Sequence, residues 1–167
     1  MTKHSRVVML DVDGVLNNRV SMFLATNGVH PGKKPTFYTM DVGCVRLFKV
    51  LLDETESKFV ISSSWRKETI SASTRVFDAM SWCGFTDAKD YCVGVTPRLA
   101  GNRGVEIDWW LNKHPTDNFV ILDDDSFDIH QKDQFVLTEH EVGLTVEDVY
   151  KTIKIFDLNL DYIPQTT

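Results

Sequence analysis

The chain predicts an α/β fold with a mainly parallel sheet flanked by helices, and three observations lead to this prediction. Short apolar runs, which suit buried strands, alternate with segments that repeat apolar residues at helical spacing. Three of the apolar runs end in polar residues of the kinds that bind ligands. No repeat, low-complexity tract or shift in composition divides the 167 residues, so we expect residues 1–167 to form a single domain with a sizeable core.

The predicted strands are five short apolar runs of a length typical of buried strands. They are residues 6–10, 58–61, 91–95, 118–122 and 135–137. The predicted helices are four segments in which apolar residues recur on one face, namely residues 41–54, 74–80, 104–113 and 145–156. The last of these begins with Thr145 and Asp148, a pair spaced as in a capping box.

Residues 17–40 interrupt this alternation. The segment combines glycines and prolines with two adjacent lysines, Lys33 and Lys34. We therefore expect a loop or a small insert near the active edge of the sheet. The two lysines suit either a solvated loop or contact with a phosphate backbone, and the sequence favours neither.

The composition excludes several classes of protein. With 18 basic and 24 acidic residues the net charge is −6, which argues against strong non-specific binding to nucleic acid. No apolar run approaches the roughly 20 residues needed to span a bilayer, and the N-terminal residues do not resemble a signal peptide, so we expect a cytoplasmic protein without a membrane partner. The three cysteines form no CxxC pair, so we expect free, mostly buried thiols rather than disulfides or a zinc site.

Polar side chains follow three of the predicted strands at the point where each strand ends. Asp11 and Asp13 follow the first strand, the sequence SSSWR at residues 62–66 follows the second, and three aspartates at residues 123–125 follow a later one. In an open parallel sheet, the carboxyl ends of the strands lie along one edge, where ligands bind. We therefore expect these side chains to converge on one crevice.

This set of groups suits the hydrolysis of a phosphomonoester. Asp11 would repel Asp123 or Asp124 unless a cation lay between them, and oxygen ligands favour Mg²⁺. A carboxylate beside Mg²⁺ can attack phosphorus and form an aspartyl-phosphate, while a second carboxylate two residues on can protonate the leaving oxygen and then activate water. Serine hydroxyls and an arginine can hold the phosphoryl oxygens.

The same motifs resemble those of the haloacid dehalogenase (HAD) superfamily. DVDGVLN at residues 11–17 resembles its first motif, ISSSWR at 61–66 its second, and ILDDD at 121–125 its fourth. With RGVEIDWWL at 103–111 and GLT at 143–145, they resemble more narrowly the HAD domains associated with RNA-repair proteins and also viral polynucleotide 3′-phosphatases. The resemblance implies a Rossmann-like HAD core.

The resemblance also implies roles for the residues that match the first and second motifs. Asp11 would be the nucleophile, and Asp13 the general acid and base that also ligates Mg²⁺ through its backbone carbonyl. Ser63 is the preferred phosphate-binding hydroxyl, with Ser62 close behind because the end of the strand is uncertain by one residue. Arg66 is a further candidate from the residues alone: it either contacts the phosphate or only pairs with a surface acid, and the sequence leaves both open.

In the fourth motif, Asp124 is the preferred metal ligand, with Asp123 beside it. The third motif is a Lys or Arg near the start of the helix that precedes this strand. Arg103 matches it best, while Arg98 and Lys89 are rivals.

The predicted function is therefore a Mg²⁺-dependent phosphomonoester hydrolase acting on nucleotides or on a polynucleotide 3′-phosphate end. The alternative is a non-catalytic or signalling module on a similar scaffold. About 40 residues separate Asp13 from the second strand and about 50 separate Arg66 from the next strand bearing a motif, so neither interval has room for a large cap domain. An open site suits a bulky substrate, and Trp65 is the candidate for stacking on a base.

Overall fold

The computed structural model describes residues 4–27, 40–99 and 102–158. Its five strands are β1 (His4–Leu10), β2 (Lys58–Ile61), β3 (Cys92–Val95), β4 (Thr116–Asp123) and β5 (Phe135–Leu137). They form one sheet in the order β3-β2-β1-β4-β5, and every pairing is parallel. The predicted α/β fold with a mainly parallel sheet is thus confirmed.

Six helices lie within the described residues. They are α1 (Arg19–Thr26), α2 (Val42–Thr55), α3 (Thr74–Trp82), α4 (Ala88–Tyr91), α5 (Arg103–Lys113) and α6 (Val146–Ile155). The four predicted helices are confirmed, with ends that differ by one or two residues. The capping box at Thr145 is also present, because its hydroxyl accepts from the Asp148 N–H and the Asp148 carboxylate accepts from the Thr145 N–H.

Helix α1 lies within residues 17–40, for which the sequence predicted a loop or small insert but no helix. Asn18 caps it: the Asn18 side chain accepts from the backbone N–H of Ser21 at 2.9 Å, and the Ser21 hydroxyl accepts from the Asn18 N–H at 3.0 Å. Serine at the third helical position is a weaker sequence signal than the usual Glu or Gln. Residues 28–39, with Lys33 and Lys34, lie outside the described residues.

The strand β1 packs its alternate side chains into two different cores. Val7 and Met9 face α5, where Trp110 is almost fully buried, whereas Val8 and Leu10 face the larger core formed with α2, α3 and α6. Side chains of successive strand residues point to opposite faces, so both faces of β1 are covered. The apolar run of β1 and the polar residues that follow it are therefore fixed in position by packing on both sides.

Cys44, Cys83 and Cys92 are free and buried, as predicted. Among the described helices, none is both long and apolar enough to cross a membrane.

Truncating Phe48 tests the larger core. Its ring is fully buried and lies edge-on to Phe59, with 5.4 Å between ring centroids. We expect Phe48→Ala to lower the free energy of unfolding by about 3–5 kcal/mol, because it removes buried apolar surface and leaves a cavity. Denaturant titration measures this loss. The control is Val50→Ala in the same helix, where the side chain is 49% exposed and the expected change is within about 0.5 kcal/mol. Equal losses in the two variants would contradict this account of the core.

Candidate active site

The central position of β1 brings the predicted motifs together. Leu10, its last residue, lies beside Ile61 of β2 on one side and beside Leu122 of β4 on the other. The chain continues this pairing for one residue more: the Asp11 N–H donates to the carbonyl of Leu122 at 2.9 Å, and the Ser62 N–H donates to the carbonyl of Leu10 at 2.8 Å. The first, second and fourth motifs therefore meet at the carboxyl edge of the sheet, as expected for an open parallel sheet.

Two buried carboxylates share one arginine at this edge. The Arg103 Nη1 atom lies 2.9 Å from Asp11 Oδ1 and 2.5 Å from Asp123 Oδ2. Asp11 is 5% exposed and Asp123 is 2% exposed. Arg103 is the first residue of α5, and the side chain of Asn102 caps that helix. The arginine thus links the first and fourth motifs.

The rivals of Arg103 for the third-motif role lie elsewhere. Arg98 is exposed, and its guanidinium donates to the backbone carbonyls of Ser64 and Arg66. Lys89 is exposed in α4, which leads into the amino end of β3, at the opposite edge of the sheet. Of the three basic residues, Arg103 is the one that pairs with Asp11 and Asp123.

Burial determines the electrostatics of the cluster. It raises the pKa of Asp11 above the ordinary value, although Arg103 and a hydrogen bond from Ser63 act in the opposite direction. Burial, with the charge of Asp11, raises the pKa of Asp123 to about 7, although Arg103 opposes this shift. Burial disfavours the charged form of Arg103, yet the two carboxylates raise its pKa. Desolvated acids in such proximity favour a further cation.

The residues at this edge fit a hard divalent ion. Asp11, Asp123 and Asp124 each place one oxygen atom within 4.8 Å of the others. Such an all-oxygen donor set matches the preference of Mg²⁺. The Asp124 carboxylate is further held by His140, whose Nδ1 atom lies 2.6 Å from Asp124 Oδ2. Sequence analysis did not identify His140, which lies beyond β5 and has no characteristic ligand spacing.

Gly14 makes room for Asp124. Its backbone has φ +68°, a conformation that favours glycine, and a Cβ atom built there would overlap the Asp124 carboxylate. The Gly14 N–H donates to the Asn17 side chain at 2.9 Å, and its carbonyl accepts from the Thr138 hydroxyl at 2.8 Å. The glycine of the DxDG motif therefore allows the first and fourth motifs to pack against each other.

Asp13 is held by side chains from two different motifs. The Trp65 indole N–H lies 3.0 Å from each Asp13 carboxylate oxygen, and the Asn17 amide donates to Asp13 Oδ1 at 2.8 Å. The Arg75 guanidinium lies 4.0 Å from the centroid of a Trp65 ring. Trp65, predicted as a candidate for base stacking, is thus engaged with Asp13 and Arg75. Both partners of Asp13 occur within the quoted motifs, but nothing in the sequence shows where their N–H groups point.

The two serines differ in their surroundings. Ser63 is fully buried and its hydroxyl hydrogen-bonds the Asp11 carboxylate. Ser62 is also buried, and its hydroxyl oxygen accepts from the Thr96 hydroxyl at 3.5 Å. Of the two residues considered as phosphate ligands, Ser63 is the one in contact with Asp11.

Arg66 is buried, and its guanidinium bonds within the protein. It donates to the backbone carbonyls of Thr96, Ser63 and Pro97 at 3.0, 2.7 and 2.9 Å, and its Nη2 atom lies 2.5 Å from Glu106 Oε2. Burial lowers the pKa of Arg66, although Glu106 opposes this shift. All four bonds of the Arg66 guanidinium are made to groups of the protein itself, and the predicted contact with phosphate stays a prediction. They favour a positioning role, in which Arg66 anchors the serine segment to α5.

This combination of fold and site defines a hydrolase of the HAD type. Among models of known protein families, the one for the HAD domain in Swiss Army Knife RNA repair proteins matches residues 7–149. The chain belongs to this family. No match was found among curated proteins or among solved structures.

The raised pKa of Asp123 predicts how pH affects the stability of the metal-free protein. In an unfolded chain this acid has its ordinary pKa near 3.8, whereas in the fold its pKa is about 7. The folded state therefore binds the extra proton between these values, so the contribution of Asp123 to stability is present below pH 4 and is lost as pH rises through about 7.

We expect Asp123→Asn to gain stability relative to the wild type as pH rises over this interval. Denaturant titrations at several pH values, in EDTA, measure the difference. Both proteins carry the same remaining acids, so the difference between them reports position 123 together with the Asp11–Arg103 pair that it contacts. A difference that stays constant from pH 4 to 7.5 would contradict the raised pKa.

Proposed function

We propose that the chain is a Mg²⁺-dependent phosphomonoester hydrolase that works through an aspartyl-phosphate on Asp11. Its substrates are nucleotides or the 3′-phosphate end of a polynucleotide, and it acts in the cytoplasm. The observation that carries the proposal is the buried cluster of Asp11, Arg103 and Asp123 at the end of β1. The match to a HAD family supports it.

In the first half of the reaction, a carboxylate oxygen of Asp11 attacks phosphorus and the bond from phosphorus to the leaving oxygen breaks. Asp13 in its acid form gives its proton to that oxygen. In the second half, water attacks the phosphorus of the aspartyl-phosphate and gives a proton to the Asp13 carboxylate. The bond from phosphorus to the Asp11 oxygen breaks, which restores the Asp11 carboxylate and releases inorganic phosphate, and Asp13 again carries the proton for the next cycle.

The remaining residues of the cluster hold the reacting groups in place. The Ser63 hydroxyl, which contacts Asp11, would donate to a phosphoryl oxygen, and Arg103 would offset negative charge at the same point. Asp11, Asp124, Asp123 and the backbone carbonyl of Asp13 would hold Mg²⁺. When bound, the ion supplies positive charge that offsets the repulsion between phosphate and carboxylates.

Two observations support a nucleotide or a nucleic-acid end as the substrate. The family description refers to RNA repair proteins, which supports a nucleic-acid end. An open pocket of about 410 Å³ lies beside Asp123 and Arg103, with Ser64, Arg98 and Asp128 also in its wall. Its volume is within the range of small-molecule sites, so it accommodates part of a nucleotide.

Replacing the nucleophile tests the mechanism. We expect Asp11→Asn to lose more than about a thousandfold in kcat, because the amide cannot form the covalent intermediate. Phosphate release should be measured with Mg²⁺ and with EDTA. The panel comprises an aryl phosphate, deoxynucleoside 5′- and 3′-monophosphates and an oligonucleotide with a 3′-phosphate.

The matched control is Asp117→Asn, at an exposed aspartate near the amino end of β4 and far from the cluster, which should retain full activity. Full activity in Asp11→Asn would contradict the proposed mechanism. No release from any member of the panel by the wild type would favour the non-catalytic module instead.

Trp65→Phe tests whether the indole N–H positions the acid. The change keeps an aromatic ring beside Arg75 but removes the donor to Asp13. We expect kcat to fall by up to about a hundredfold for a nucleotide, whose alkoxide leaving group needs a proton. The loss should be much smaller for p-nitrophenyl phosphate, because its leaving group departs readily without an acid.

Comparison of the two substrates separates positioning from general damage to the site. Equal losses on both would argue against a role for Trp65 through Asp13. Trp82→Phe is the control, at a tryptophan of α3 that is 47% exposed and should show neither loss.

A further inference from the structure

A second pocket lies next to the pocket beside Asp123 and Arg103. This side pocket, as we name it, has a volume of about 400 Å³ and is lined by Lys67, Pro97, Arg98 and Trp109, with Glu68 and Val95 completing much of its wall. Arg98 also lines the first pocket. The two pockets therefore meet at one arginine, and a chain-like ligand that fills both must pass it.

The charge of Arg98 is not balanced by an acid of the described protein. Its Nη2 atom donates to the backbone carbonyls of Ser64 and Arg66 at 3.0 and 2.9 Å, and no described carboxylate lies within ion-pairing distance of it. The other two arginines at this edge differ, since Arg66 pairs with Glu106 and Arg103 pairs with two aspartates. Arg98 therefore retains both its charge and unused N–H donors for an anion.

Trp109 presents an aromatic surface at the same place. The side chain is 44% exposed, whereas that of its neighbour Trp110 is 2% exposed and belongs to the core. Lys67 in the same wall is exposed and has no ion-pair partner among the described residues. An exposed indole next to unpaired cations is the combination that binds single-stranded nucleic acid, because bases stack on the ring and phosphates contact the cations.

We propose that the side pocket binds the penultimate nucleotide of a single-stranded polynucleotide that ends in a 3′-phosphate. This inference rests on the proposed function, in which the terminal phosphate lies at Asp11. The base of the penultimate nucleotide stacks on Trp109, and the phosphodiester between it and the terminal nucleotide contacts Arg98. A duplex end does not fit, because its bases are already stacked and paired.

The acids around both pockets make Arg98 decisive. Glu68 lies in the side pocket, and Asp125 and Asp128 line the first pocket. These carboxylates repel a polyanion, so attraction depends on few uncompensated cations. Loss of Arg98 therefore removes a large part of the attraction, and the salt dependence of binding should fall with it.

The first experiment compares 3′-phosphorylated substrates of one, two and three nucleotides, all single-stranded. We expect kcat/KM of the wild type to rise by roughly 5- to 100-fold from one to two nucleotides, as one base stacks and one phosphate is contacted. We expect little further gain from the third. In Trp109→Leu and in Arg98→Gln the ratio between dinucleotide and mononucleotide should fall below that of the wild type, because each variant removes one of these two contacts.

The matched control is Trp82→Leu, at an exposed tryptophan at the end of α3 that lines neither pocket, and it should keep the wild-type ratio. Because each ratio is taken within one variant, a general loss of activity does not affect it. The proposal for the side pocket would be overturned if the wild type did not distinguish one nucleotide from two. It would also be overturned if the Trp109 and Arg98 variants kept the wild-type ratio. A recessed duplex end as good as the single strand would overturn it as well.

The second experiment measures binding without turnover, so that the two proposals can fail separately. Asp11→Asn is titrated with a fluorescent 3′-phosphorylated trinucleotide at several salt concentrations. We expect Arg98→Gln in this background to reduce the slope of log affinity against log salt by about 0.7, the value for one phosphate contact on a single strand, and Arg98→Lys to keep most of it. If no phosphoester is hydrolysed yet these changes occur, the proposed function fails and the side pocket stands. An unchanged slope overturns the side pocket even if hydrolysis occurs.

Discussion

The burial of two like charges at the carboxyl ends of two adjacent strands, β1 and β4, is the constraint on which the site depends. Asp11 and Asp123 are both nearly inaccessible, and the charge of Asp11 makes the charged form of Asp123 less favourable. Arg103 lies between them and supplies the compensating charge. Its position follows from α5, which is fixed against the sheet by the buried side chains of Ile107 and Trp110. The packing of one helix thus determines whether the acids can be tolerated.

The same helix serves a second buried charge. One turn after Arg103, Glu106 pairs with Arg66, which in turn bonds the backbone carbonyl of Ser63. The first turn of α5 therefore contributes two charges. Its Arg103 pairs with the carboxylates at the ends of β1 and β4, and its Glu106 pairs with the arginine that follows β2. Breaking such a buried pair by removing one partner costs about 3–5 kcal/mol, so the serine segment and the acids are stabilised through one element.

Much of the fold was predictable because strands and helices leave periodic signals and because parallel strands gather their carboxyl ends at one edge. Asp11, Asp123 and Arg103 came together for that reason. The engagement of Arg66 and Trp65 was not predictable, since the direction of a guanidinium or an indole N–H depends on partners distant in the chain, such as Glu106 and Asp13. Helix α1 was missed because the third helical position of its capping box is serine, where Glu or Gln is usual.

The order of the strands has a consequence for the newly made chain. Strand β1 is synthesised first, but it lies between β2 and β4, and its Asp11 meets Asp123 only after roughly 110 further residues have been added. At ribosomal rates this takes on the order of 5 to 20 seconds. Arg103, the counter-charge of Asp11, is made only late in this interval, and until β4 follows it one edge of β1 has no neighbour. The cluster of Asp11, Arg103 and Asp123 can therefore form only late, in the final stages of folding.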